Sequence, residues 1–500
     1  VSIRYSWNYT TTETPVVVGN APSDAKVESV YLAEVPTGQN VLISRIDLSQ
    51  QGWIDAIFRS FANGHVWFPT ASQPVTAPWA GRLVHSGPWV AIPTVLAADS
   101  SSRLSVTLVI KWYVPDSGGG NPNPPPGPDS GGSGGAKHVV DFNGDGYSDL
   151  FLQNPQTGDV EIRFGRSGMG PLHFSAASQD VWLTNRKYVT GDFNGDGYTD
   201  LFLYYVPTGE VEIRYGQAGY SPFLFSASSQ QVWGLSLEFV PGDFNGDGKT
   251  DVFIHNAVTG HVEIRFGSSQ MGALQSSPVT QHSWTLGLKY IPGDYNGDGF
   301  TDLFLYYPAG AVEIRYGRTG LGPFLFIPAS QQTWNPGMDF TSGDFNGDGR
   351  SDLLVRDPFD NNTEIRYGWE GMGALILKPE SRWALATDSV YLVGDFNGDG
   401  RSDYFMYQTS TGVNNVALGI QGAGGVTWSL SNVQHWSLGQ TFFVGDYDGD
   451  GKDDLFIMGQ TGLAEIRYGQ AGTNHLVLSP STQGQWTPGL TFVGGYIFRR

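Results

Sequence analysis

The sequence predicts an all-β chain in two parts: a small strand-rich domain, then a closed ring of seven repeated sheets. Three observations carry that prediction. An acidic, glycine-punctuated phrase, "DFNGDGYSDLFL" in its first form, recurs seven times at near-constant spacing. Each copy runs directly into a short apolar stretch. A Pro/Gly tract separates this periodic region from a first segment that has no such period.

Residues 1–114 contain "KVESVYLAEV", "NVLISRIDL" and "RLSVTLVIKWYV". These stretches are rich in β-branched residues, partly alternating, and bounded by Gly, Pro and Ser, as strands are. No stretch has a convincing helical period. The segment is expected to be a small β-sandwich or jelly-roll-like domain that anchors or oligomerises the chain. "PDSGGGNPNPPPGPDSGGSGG", Pro115–Gly135, offers nothing to bury. It reads as a flexible linker over 115–136, spanning roughly 25 Å on average.

Residues 137–500 form the periodic part. The first Asp of each acidic phrase stands at 141, 192, 243, 294, 344, 395 and 446. "VEIRFG" or "VEIRYG" follows in most copies, and a Trp recurs near the end of each unit, at 182, 233, 284, 334, 383, 436 and 486. Short strands and turns repeating at this length are the mark of propeller blades. The runs "LFL", "VFI" and "YFM" are apolar on both strand faces, as expected of strands packed between neighbouring sheets. "LTFVGG" near the end matches the strand that opens an internal repeat, so it is expected to complete the first blade and close the ring. Closure would remove exposed sheet edges.

The acidic phrase has the pattern D-x-N/D-x-D-G-x-x-D. Its side chains are Asp141, Asn143, Asp145 and Asp149; Asp192, Asn194, Asp196 and Asp200; Asp243, Asn245, Asp247 and Asp251; Asp294, Asn296, Asp298 and Asp302. Asp344, Asn346, Asp348 and Asp352; Asp395, Asn397, Asp399 and Asp403; and Asp446, Asp448, Asp450 and Asp454 complete the set. Odd positions of a coiled loop aim oxygens at one centre, and Gly at the sixth position permits the turn. An all-oxygen donor set suits a hard cation, Ca²⁺ before Mg²⁺. The twelfth position is never Glu, so this is a calcium loop leading into a sheet, not one between helices. Up to seven Ca²⁺ are expected. Unneutralised, each cluster would repel itself by several kcal/mol, on an order-of-magnitude estimate. Chelation is therefore expected to loosen all seven blades together.

The loop and its period resemble the FG-GAP/VCBS repeats of integrin α-subunit heads. Seven copies without an inserted domain are similar to the seven-bladed fungal lectins of the Psathyrella velutina type. The resemblance covers about 137–500 and leaves 1–114 untouched. It implies calcium coordination by the loop side chains and sugar binding in shallow pockets around the ring.

Composition narrows the partners. The formal charge is −20, so a nucleic-acid backbone is not expected as a ligand. There is no Cys, hence no disulfide or thiol chemistry, and no apolar run long enough for a membrane helix. No basic-then-apolar leader follows Val1, which leaves export open. The nine His form no HExxH pattern, and no nucleophile elbow or phosphate loop occurs. Catalysis is not expected.

In the Glu-Ile-Arg strands, Glu and Arg share one face. An ion pair is the favoured reading, and a ligand-gripping Arg the other. The phased Trp residues are favoured as packing keystones over sugar-stacking platforms. Asn8 and Asn361 begin N-x-T triplets that matter only on a eukaryotic secretory route.

The chain thus reads as a non-enzymatic, calcium-stabilised binding protein of lectin type. Its expected ligands are glycans or a glycosylated cell-surface receptor, and its expected location is extracellular or on a virion surface. The alternative is a structural or attachment protein, such as a capsid or fibre subunit, that self-assembles through 1–114 and projects the propeller.

Overall fold

The computed structural model describes residues 140–494, apart from 360–361, 385–387, 423–424 and 429–432. Before residue 140 it describes only the backbone of ten strands. The linker at 115–136, Asn361 and the side chain of Asn8 lie outside the described residues.

The chain divides into two compact units, Val1–Ser117 and Gly118–Arg499. In the first, Leu104–Tyr113 pairs antiparallel with both Ser2–Tyr9 and Lys26–Glu34. A second antiparallel sheet is built around Gly87–Val95 and Val41–Asp47. The three strand-like stretches read from the sequence coincide with strands of these two sheets.

The second unit is a seven-bladed β-propeller, each blade an antiparallel five-stranded sheet. In the second blade Arg186–Gly191, Asp200–Tyr205, Glu210–Tyr215 and Leu224–Phe225 lie side by side, and Gln231–Val232 adds to the third of them. Register follows the apolar pattern: Phe202 faces Ile213, and Leu203 faces Glu212. The strand after each acidic loop is buried along most or all of its length, as in Asp302–Tyr306, because neighbouring blades cover both faces. Among the described residues the helical segments are single 3₁₀ turns such as Ala227–Ser229, and none is long and apolar enough to cross a membrane.

The ring closes as the repeat pattern predicts. Thr491–Val493 pairs with Leu150–Gln153 of the first blade, Phe492 opposite Leu152. Phe492, Leu150 and Leu152 share one apolar cluster with Phe443, Phe456 and Ile466 of the seventh blade.

Candidate metal-binding loops and the clefts between blades

Each acidic loop leads into the second strand of its blade, from the first strand in blades two to seven, and the second loop shows how it coils. Asp192 accepts backbone N–H groups from Gly195 at 2.6 Å, Asp196 at 3.1 Å and Gly197 at 2.8 Å. Gly197 sits at φ +86°, which a side chain would strain. Asn194 accepts the Asp196 N–H at 2.9 Å and donates its own amide to the Asp196 carboxylate at 2.8 Å. Asp200 is fully buried; its two oxygens accept N–H groups from Phe193 and Gly216, both at 2.9 Å. The ninth position therefore ties the loop to the residue that follows the third strand.

Burial pushes the Asp200 carboxyl up to about 8; the Gly216 N–H pulls against it, and Asp192 and Asp196 raise it further. Asp403 is pushed to about 8 in the same way, and Asp448 to about 6, first by burial and then by Asp450 and Asp446. Burial thus disfavours the charged form of these carboxyls, and a cation in the loop would favour it. Asp403 Oδ2 and Asp448 Oδ1 are buried with no hydrogen-bond partner, which fits a loop with room for an oxygen-seeking ion.

The predicted ligand residues are brought together within every loop, but not equally. In the seventh, Asp446, Asp448 and Asp454 offer ligand oxygens within 4.8 Å of one another; among the described residues no other three His, Cys, Asp or Glu side chains do so. Asp450 stands outside that trio and pairs with Lys452.

A belt of hydrogen bonds between loops was not legible in the sequence. The residue before the ninth position donates its N–H to the first Asp carbonyl of the preceding loop: Thr199 to Asp141, Thr250 to Asp192, and so on to Ser148 with Asp446, at 2.7–2.8 Å. The Ser or Thr there in six of the seven loops was the available signal.

The Glu-Ile-Arg strands form ion pairs, as favoured. Glu212 and Arg214 lie 3.0 Å apart, Glu313 and Arg315 2.5 Å. Each Arg also lies over the Trp of the preceding blade: Arg214 over Trp182 at 5.0 Å, Arg315 over Trp284 at 5.3 Å, Arg467 over Trp436 at 4.6 Å. Arg163 closes the series over Trp486 at 5.0 Å. The sixth blade breaks it, with Ala417 facing Trp428. Trp383 departs from the common phase. It pairs with Thr363, the position held elsewhere by Gln231 or His282, two residues before the Trp of those blades. The uneven Trp spacing on either side of 383 was its trace in the sequence. The next candidate for that place, Leu385, lies outside the described residues.

Between the third and fourth blades is a cleft of about 290 Å³, lined by Trp284, Phe324, Arg315, His282, Ser283 and Thr280 among others. It offers aromatic faces, one guanidinium, and hydroxyl and imidazole groups at its mouth.

Residues 141–203, 192–254 and 294–355 match the FG-GAP-like repeat family. Among solved structures, an Agrocybe aegerita lectin, described as recognising non-reducing terminal N-acetylglucosamine, is 15% identical, with 70% of this chain and 96% of that chain covered and a TM-score of 0.50. An exotype rhamnogalacturonan lyase, YesX, is 12% identical over 70% of this chain and 75% of its own, TM-score 0.29. The exo-inulinase of Aspergillus awamori is 12% identical over 75% and 96%, TM-score 0.26. At 15% identity the likeness to the lectin is one of fold. No curated protein matches the chain.

Proposed function

We propose that this seven-bladed propeller of FG-GAP-like repeats is a non-enzymatic binding protein, stabilised by calcium in its acidic loops, that recognises glycans. The cleft between the third and fourth blades carries the reading. Its volume suits a single small ring better than a drug-sized ligand, for which sites of roughly 300–1,000 Å³ are usual. Trp284 and Phe324 supply apolar faces for the C–H side of a sugar; Arg315, His282 and Ser283 supply groups for its hydroxyls. Six of the recurrent Trp residues pack under a neighbour's guanidinium, Trp284 under Arg315 among them, and recognition is assigned to this one cleft, which Trp284 still lines, and not to a ring of equal stacking platforms.

Calcium supplies the neutralising charge in each loop, and the chain's own groups hold it: the first, third, fifth and ninth side chains. The glycans would stand on a cell surface or a glycosylated receptor, which places the protein outside a cell or on a virion. In the second case residues 1–114 would assemble and the propeller would serve as an attachment module.

A glycan array probed with the full chain in calcium and in chelator tests the reading. Binding is expected in calcium and lost on chelation, and His282→Ala with Ser283→Ala, both exposed and lining the cleft, should weaken it at least tenfold while leaving the melting temperature near that of the wild type. No glycan retained in calcium would sink the proposal.

A further inference from the structure

The seven acidic loops differ in one respect that bears on how the ring is held shut. In six of them the third side chain is Asn, whose amide donates to the carboxylate two residues on at 2.8–3.3 Å. In the seventh it is Asp448, which has no amide to donate. Asp448 is only 9% exposed, its Oδ1 has no hydrogen-bond partner, and its carboxylate converges with those of Asp446 and Asp454. The adjacent cation, Lys452, is engaged with Asp450. Asp453 also replaces the Ser or Thr of the other loops, and accepts the Asp395 N–H at 2.7 Å.

This loop sits where the last blade meets the first. The carbonyl of Asp446 accepts the Ser148 N–H at 2.7 Å, and that of Tyr447 accepts the Arg166 N–H at 3.1 Å. Tyr468 reaches across the same boundary to the Gly170 carbonyl at 2.8 Å, and Ser479 to that of Met169 at 2.6 Å. The residues joined are about as far apart in sequence as the propeller allows, so only the native ring brings them together.

We propose that the seventh loop is the tightest cation site of the propeller, and that its filling, ahead of the other six, fastens the seam between the last and first blades. The inference rests on the calcium reading above. Affinity in oxygen-ligand loops rises with the number of ligand charges. A fourth carboxylate, Asp448, converging with Asp446 and Asp454, adds attraction for the ion and, without the ion, repulsion within the loop. An occupied loop would hold residues 446–454 in the coil whose carbonyls receive the N–H groups of the first blade.

The test is a calorimetric Ca²⁺ titration of the chelator-stripped full chain, with hydrogen exchange followed at each step. One ion should bind at least tenfold tighter than the rest. Asp448→Asn, which installs the residue of the other six loops and so should fold, should abolish that step. Asn346→Asp should create a second tight ion. At one equivalent, protection should rise first at 148–166 and 491–493. A single uniform class in the wild type, a tight step that survives Asp448→Asn, or equal protection of all blades at one equivalent would overturn the proposal and leave the calcium reading intact. No Ca²⁺ uptake at all would overturn both.

Discussion

Arg315 shows what one side chain does in this repeat. Its guanidinium meets Glu313, lies 4.2 Å from the Phe326 ring centre, and covers Trp284 of the preceding blade. Glu313 is only 4% exposed and also accepts from Tyr307 at 3.0 Å and Gln331 at 3.1 Å. Arg315→Ala would leave that carboxylate with two neutral donors and remove a cation from an aromatic face. A loss of about 1–3 kcal/mol is expected. It would be read as a lower urea midpoint at unchanged slope; a shift under about 0.3 kcal/mol would mean that the stack contributes little. The ion pair was legible in the sequence because Glu and Arg alternate on one strand face. The stack was not, because Trp284 and Arg315 belong to different blades.

At the scale of the element, the loop, its strand and the next blade meet at a glycine. The Gly216 N–H binds Asp200, and a Cβ on Gly216 would stand 2.5 Å from the Thr199 carbonyl and 2.7 Å from that of Phe142, in the preceding loop. Backbone oxygens cannot swing aside. Gly216→Ala should therefore cost about 1–3 kcal/mol, whereas Gly234→Ala, with open space around its Cβ, should stay within about 0.5 kcal/mol of the wild type. Equal effects in a thermal or urea melt would refute the packing argument. The Gly after each Glu-Ile-Arg strand was visible as a repeat, but its reason lies partly in the preceding blade's loop, at Phe142. Trp383 makes the same point from the other side: the uneven spacing on either side of it hinted at a two-residue difference in register, which the pairing with Thr363 places.

For the whole molecule, the stability of the ring depends on one short strand. Thr491–Val493 covers the edge of Leu150–Gln153 and buries Phe492 between the last and first blades. Truncation after Gly489 should lower the melting temperature by several degrees and promote association through the uncovered edge. An unchanged, monomeric melt would show that closure does not depend on this strand. The sequence by itself determined the number of blades, the strand following each acidic loop, the donor types in those loops and the closing strand, because hydrogen-bonding turns and apolar runs are local and repeat with the chain. Only the tertiary structure decided which side chains meet across blade boundaries: Arg315 over Trp284, Gly216 against Phe142, Asp446 bound to Ser148 at the seam. Those contacts join residues of neighbouring blades, or of the two ends of the ring, and their register is set by how the blades pack and not by any period along the chain.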